Sequence, residues 1–444
     1  MKDNLVRVFL YGREVCQLLW KGGYKDDWGK VGALVSFHPD FYNTGLDIDP
    51  LGRYRRDSLF LRNGLSDICR AKEYEGLPRF LSCSLPDDWG NQVFYSWAAK
   101  NELHKKDITS VDKLAFIGKR GMGGFEFVPE FYSAADEDNV RLEELYALAR
   151  EIEATREGVS IELRSDTSLN DLMAVGMSAG GRHPKAIIAI DWDTWEVRSG
   201  QVLLPENFTQ HILKFNDNDK FPTAEVEYVY YQMARECGIE MEKCHLLPIG
   251  GANHFLTTRF DRKCGKKVHA TTLNAMAGEI YSYEDIFTVC RKLRMPYKDM
   301  EQLFRRAVFN YLACVCDDHD KNFSFTLSES GRWRLSSAYD ETFTLDYVNR
   351  FIWDRHAMSL GGENRRISYN QLLALAEDNN IANARTIVAE VSAAVNSFAG
   401  KAEENGIEKP YTDFVTDCLW KHAVIAPKHS IVKDISSSGE ESLY

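Results

Sequence analysis

The sequence predicts an α+β fold with a β-rich N-terminal part and an all-helical C-terminal lobe, and three observations carry that prediction. Short alternating apolar runs separated by turn residues dominate the first 260 positions. One segment of helical period, EVEYVYYQMARECG, interrupts the strand-like runs AIIAI, SGQVLL, HILKF and HFLTTRF. Beyond residue 270 the helical period takes over, in DMEQLFRRAVFNYLACV, SYNQLLALAED and ARTIVAEVSAAVNSFAGKAEEN.

In chain order, residues 1–135 read as one α+β module, with strands at VRVFLYG and GFEFVPE and a helix at WGNQVFYSWAAKNEL. Leu142, Leu145 and Leu148 recur at near-helical spacing in an acidic run and predict a connecting helix. Residues 136–260 form a second β-rich lobe on an antiparallel sheet with one helix, and residues 261–425 form the helical lobe. The tail 426–444 is polar and poor in apolar residues, so it is expected to be mobile.

Composition narrows the function classes. A chain of 444 residues with 44% apolar and 27% charged residues can bury two or three ordinary cores. A formal net charge of −12 argues against broad phosphate-backbone binding, which needs clustered Lys and Arg. Arg53, Arg55 and Arg56, and likewise Arg305 and Arg306, read as solvated basic edges. The 10 cysteines are scattered and form no paired CxxC clusters, so they read as reduced thiols with no zinc site. The start MKDNLVRVFLYGREV lacks an unbroken apolar region, and no later window approaches an uncharged membrane span. A cytoplasmic location without membrane association is expected.

Three stretches carry chemistry. GMSAGGRHPKA, residues 176–186, puts Gly180 and Gly181 where bare amides can approach phosphate oxygens, with Lys185 following as a neutralising charge. It matches neither the Walker nor the Rossmann pattern, and taken alone two adjacent glycines are more often just a turn. Lys214 lies in the alternating strand HILKF, where an ammonium is costly to bury without an anionic partner. Glu225 and Glu227 follow on the next helix. Glu227 shares the apolar side with Tyr230 and Ala234, whereas Glu225 faces solvent. The third stretch is CDDHDKNFSF, in which Asp317 and Asn322 stand five positions apart, followed by a hairpin that ends at Asp340 in RWRLSSAYD. Protein kinases use a strand lysine paired to a helix glutamate, and then an aspartate, an asparagine and a second aspartate in this order. The fold expected is therefore protein-kinase-like and two-lobed. Asp318 and Asp320 read as solvated loop carboxylates.

SLPDDWG, IGKRGMGGFEFVPE, SAGGRHPKA, HILKF, TRFDR, DDHDKNFS, LSSAYD and MSLGG occur in one order over most of the chain. That set resembles the HipA family of bacterial serine/threonine kinases, the toxins of HipBA-type toxin–antitoxin systems. The resemblance implies ATP and Mg2+ as cofactors, with Asp317 as the catalytic aspartate and Asn322 and Asp340 as magnesium ligands. It implies that His319, Lys321 and Lys214 touch the phosphates and that Thr258, Arg259 and Phe260 line the adenine pocket. Ser178, in the glycine loop, aligns with the serine that such kinases autophosphorylate. It further implies a HipB-like antitoxin through which DNA is contacted indirectly, and a translation-related substrate such as an aminoacyl-tRNA synthetase. Two departures stand out: Asp318 and Asp320 replace small residues and would add negative charge near the triphosphate, and Arg182-His183 replaces the commoner pair in the loop. The alternatives are a small-molecule kinase, whose lobes and Asp-to-Asn spacing are similar, and a catalytically weakened binding partner or corepressor of a DNA-binding antitoxin.

Overall fold

A computed structural model describes residues 5–21, 32–69, 72–131, 140–156, 183–201, 204–216, 220–346, 351–352 and 355–422. The expected tail 426–444 lies outside them. The first sheet has the order β4-β3-β2-β1-β5, from β1 (Leu5–Leu10), β2 (Arg13–Lys21), β3 (Gly32–Phe37), β4 (Ser66–Ile68) and β5 (Phe125–Val128). Val6, Val8 and Leu10 alternate inward along β1 while Leu5 and Arg7 face out. Tyr11 and Gly12, both at positive φ (52° and 73°), close the β1–β2 hairpin with a twist that matches the strands. The Asp88–Lys100 and Ser110–Ile117 helices add Trp89, Val93, Phe94, Leu114 and Phe116 to the same apolar interior.

The second sheet has the order β7-β6-β8-β10-β9, with β6 (Lys185–Asp191), β7 (Glu196–Ser199), β8 (Phe208–Lys214), β9 (Cys244–Ile249) and β10 (Ala252–Thr258). Every pairing in it is antiparallel. The Thr223–Glu236 helix buries Val226, Val229, Tyr230, Met233 and Ala234. Of the strand expected at SGQVLL, residues 202 and 203 lie outside the described residues, and β7 ends at Ser199. The Asp191 carboxylate accepts from the Asp193 N–H (3.0 Å) and the Thr194 hydroxyl (2.9 Å) and so starts the hairpin early. At Gly200 the backbone passes so close to Ile188 that an added Cβ would lie 2.4 Å from its carbonyl oxygen.

The last third is mainly helical, with long helices at Tyr283–Lys292, Tyr297–Leu312, Ala384–Asn396 and Lys409–His422. It is not all-helical, as the sequence led us to expect. A short pair, β11 (Arg262–Lys263) and β12 (Lys266–Lys267), precedes a three-stranded sheet of β13 (His269–Thr272), β14 (Ser324–Leu327) and β15 (Trp333–Leu335). His269 and Thr271 give β13 its buried face, but four residues are too few to declare a period in sequence. The apolar run from Ala384 breaks at Ser397, whose hydroxyl returns to the Ala394 carbonyl at 2.7 Å and bends the chain into a separate Phe398–Glu404 helix. Arg306 is buried and donates to the Ser336 carbonyl, so it is no solvated edge. Ala338 joins the two lobes by donating its N–H to the Glu240 carbonyl at 2.8 Å. Among the described residues no helix is long and apolar enough to cross a membrane.

Candidate active site

Lys214 ends β8 and points its ammonium between two carboxylates. Its Nζ is 2.6 Å from Glu227 Oε1 and also donates to Asp340 Oδ1. The three come from a strand, a helix and the segment after β15, so tertiary packing alone assembles them. Burial disfavours the lysine's charge, yet Asp340 and Glu227 outweigh it and push the ammonium's pKa above its ordinary value. The two acids respond unequally. Burial opposes ionisation of Asp340, but Lys214 overcomes it and holds that carboxyl below the usual range. For Glu227 burial prevails over Lys214, and its carboxyl is raised. Both carboxylates thus accept a hydrogen bond from Lys214 and share its charge. Glu225 instead accepts from Asn253 at 2.9 Å.

Lys185 does not trail freely after a loop. At the start of β6 it pairs in register with Lys214 of β8, is buried, and lies 3.9 Å from Asp87 of the N-terminal module. Burial lowers its pKa while Asp87 and Asp340 act against that. Of the glycine-loop candidates, Ser178, Gly180 and Gly181 lie outside the described residues.

The Asp317 segment leaves the Tyr297–Leu312 helix through Ala313 and the left-handed Cys314 (φ 55°). The Thr344 hydroxyl accepts from the N–H groups of Cys316 (3.0 Å) and Asp317 (3.2 Å), which fixes the loop's entry. Asn322 donates its amide to the Asp317 carbonyl at 2.8 Å and so closes the loop on itself. Asp317, Asn322, Tyr339 and Asp340 line one cleft together with Glu341. Burial raises the Asp317 carboxyl, His319 at 3.7 Å pulls it back, and the Asp340 and Asp318 charges push it further up. Glu341, buried beside Arg306, is pushed up to about 8 by that burial. Lys321 is exposed at the rim.

The remaining aspartates are not free loop carboxylates: Asp318 is buried and Asp320 half-buried. Asp318 is 2% exposed and accepts from the Tyr283 hydroxyl (2.7 Å) and from the Ala357 (2.9 Å) and Met358 (3.2 Å) N–H groups, with His356 Nδ1 at 3.1 Å. Asp320 accepts from the Asn274 amide at 2.9 Å and the Ile280 N–H at 3.3 Å. Both tie the loop to distant segments. Arg259 needs a similar correction. Its side chain is 0% exposed and fully engaged with Asp261, so it is not presented to a nucleotide. Its neighbours differ: Thr258 is half-buried and donates to the Lys243 carbonyl at 3.0 Å, and Phe260 stacks on Tyr339 with centroids 5.7 Å apart. Sequence reasoning missed Tyr339, Thr344 and Asp87. The one available signal was the position of Tyr339 directly before Asp340.

The model of the HipA-like C-terminal domain matches residues 177–399, half of the chain. The chain belongs to the HipA-like family. HipA of Shewanella oneidensis MR-1, solved with HipB and operator DNA, superposes with a TM-score of 0.62 at 17% identity, over 94% of this chain and 96% of that one. The shared fold therefore extends through the N-terminal module. A Haemophilus influenzae protein described as a putative kinase is 26% identical over 196 residues, which span 40% of this chain and 55% of that relative. The proinflammatory kinase CtkA of Helicobacter pylori aligns over 48% of this chain and 86% of its own length, at 10% identity and a TM-score of 0.38.

Proposed function

We propose that the chain is an ATP- and Mg2+-dependent serine/threonine protein kinase acting as the toxin of a HipBA-type pair. The observation that carries this reading is the Lys214 ammonium set between Glu227 and Asp340, with Asp317 and Asn322 in the cleft that Asp340 lines. The donor set suits Mg2+. Asn322 gives its amide N–H to Asp317, which leaves its carbonyl oxygen available in the cleft that Asp340 also lines, and both are hard oxygen donors. When bound, the ion supplies positive charge to the triphosphate oxygens. Lys214 neutralises phosphate oxygens from the strand side, steadied by Glu227. Asp317 orients the acceptor hydroxyl and takes up its proton, a task its raised pKa favours. The γ-phosphorus forms a bond to the acceptor oxygen as its bond to the β,γ-bridging oxygen breaks, and ADP leaves. With 50% of the Asp317 side chain exposed, the acceptor position suits a hydroxyl on a protein better than an enclosed metabolite.

The family resemblance supports Ser178 as an autophosphorylation site, where a phosphate of nearly two charges would repel the phosphates of ATP. It also supports a translation-related protein, such as an aminoacyl-tRNA synthetase, as substrate in the cytoplasm. The Shewanella relative's complex supports a HipB-like partner, and a net charge of −12 supports DNA contact only through it. The test is labelling with γ-labelled ATP in a lysate, with mass spectrometry at Ser178. Labelled protein is expected, and Asp317→Asn should lower its rate about 10²–10⁴-fold. A variant with the wild-type rate would sink the assignment. Label confined to small molecules would replace it with a small-molecule kinase, and absence of Mg2+-dependent ATP binding would replace it with a non-catalytic antitoxin partner.

A further inference from the structure

The turn after β10 holds a buried ionic knot. Asp261 accepts two hydrogen bonds from Arg259 (2.9 and 2.8 Å), one from Arg262 (2.8 Å) and one from the Gly123 N–H (2.7 Å). Arg262 also donates to the carbonyls of Gly121 (2.9 Å) and Gly123 (3.3 Å). Both glycines belong to the loop that precedes β5 in the N-terminal module. That loop is tightly seated: Gly123 has φ +72°, and a Cβ there would lie 2.8 Å from the Ala270 carbonyl oxygen of β13. The Lys267–Glu126 pair, at 3.2 Å, flanks the knot.

The residue inside the knot's sequence is Phe260, whose ring reaches a residue that lines the cleft. Its ring stacks on Tyr339 at an interplanar angle of 20°. The Tyr339 hydroxyl donates to the Lys321 carbonyl at 2.8 Å and lies 2.6 Å from the Ser324 hydroxyl, so the same ring also grips the end of the Asp317–Asn322 loop. A continuous set of contacts therefore runs from the N-terminal module through Asp261 and Arg262 to Phe260, Tyr339 and Asp340.

We propose that Asp261 and Arg262 are positioning residues through which the N-terminal Gly121–Gly124 loop sets the Phe260–Tyr339 stack, and with it the nucleotide cleft. The geometry explains why a buried cluster with two cations and one carboxylate sits at this turn. An apolar turn could pack as well, whereas the ionic turn adds directional hydrogen bonds to a loop more than a hundred residues earlier in the chain. The inference rests on the nucleotide-binding reading above.

A double-mutant cycle tests it, with Mg2+-ADP affinity measured by calorimetry on the full chain. Phe260→Leu and Arg262→Met are each expected to weaken binding about 3–10-fold, the worth of one aromatic pair. If the knot acts through the ring, the double variant binds within about twofold of Phe260→Leu alone. Losses that multiply, or an Arg262→Met protein with wild-type affinity, overturn the proposal while leaving the nucleotide reading intact. A wild-type protein that does not bind Mg2+-ADP overturns the nucleotide reading itself and this inference with it. Should Arg262→Met fail to fold, Arg262→Lys repeats the cycle, since it keeps the cation but cannot bridge both glycine carbonyls.

Discussion

Replacing Asp318 by Asn tests whether the acidic loop is built from structural carboxylates or from exposed ones. One oxygen of Asp318 holds two backbone N–H groups, and the other faces the Tyr283 hydroxyl and His356 Nδ1. Asn keeps the first oxygen and puts an NH2 in place of the second, so two hydrogen bonds to a charged acceptor are lost. At about 1.5–3 kcal/mol each, the loss is about 3–6 kcal/mol. The Tyr283 hydroxyl can turn to accept from the new amide, which returns about 1 kcal/mol and leaves about 2–5. For a lobe of this size that corresponds to a fall in Tm of about 5–15 °C. Scanning calorimetry, read on the transition that reports the helical lobe, measures it, because a chain this long need not unfold in one step. Asp320→Asn is the control. Its two side-chain contacts both go to one carboxylate oxygen, which the Asn carbonyl can replace, so about 1 kcal/mol is expected. A Tm for Asp318→Asn within about 2 °C of wild type would refute the network, since surface substitutions change stability by only about 0.5 kcal/mol.

Lys214→Met removes the cation between Glu227 and Asp340 and should lower phosphoryl transfer about 10²–10³-fold, measured as kcat with saturating Mg2+-ATP; an unchanged kcat would exclude Lys214 from the site. Stability should also depend on pH through His269, which is buried between Phe125 and Trp333 and pushed down to about 3 by that burial. Its neutral form contributes stability fully above the unfolded value near 6.5, and that contribution is lost as pH falls from there toward the folded value, at about 1.4 kcal/mol per pH unit. Glu341, raised to about 8, and Asp49, raised to about 6 by burial, act in the opposite sense, so the effect is read as a difference. Between pH 6.5 and 5, urea unfolding of wild type should lose more stability than that of His269→Phe, and parallel curves would show that His269 does not titrate on unfolding.

Much of the site's wiring is legible in the sequence because it follows local rules. A lone lysine in an alternating strand demands an anion, and helical spacing selects Glu227 over Glu225. Asp317 and Asn322 are five residues apart, and one hairpin carries the chain from there to Asp340. What sequence does not disclose is the partner of any group whose contact closes over a long loop. Asp318 finds Tyr283 and His356, Lys185 finds Asp87, and Arg259 turns inward to Asp261, all by packing. Phe260 shows the converse case. Set between Arg259 and Asp261, it is singled out only by the family resemblance, and its partner Tyr339, 79 positions later, is seen only in the fold. The strands of the small third sheet are only three or four residues long, too short for periodicity to speak.

The β1–β2 turn and the third sheet meet across almost the whole length of the polypeptide. The Tyr11 hydroxyl accepts from the His269 N–H and donates to the Leu327 carbonyl, contacts 258 and 316 positions apart in the chain. Trp333 reaches the Asp47 carbonyl at a separation of 286. At about 5–20 residues per second, a ribosome needs roughly 15–60 s to deliver Leu327 after Tyr11. During that interval the face of the first sheet's turn that meets the third sheet has no partner yet. The cleft, which needs Asp340, can therefore form only after its last lining residues have been synthesised.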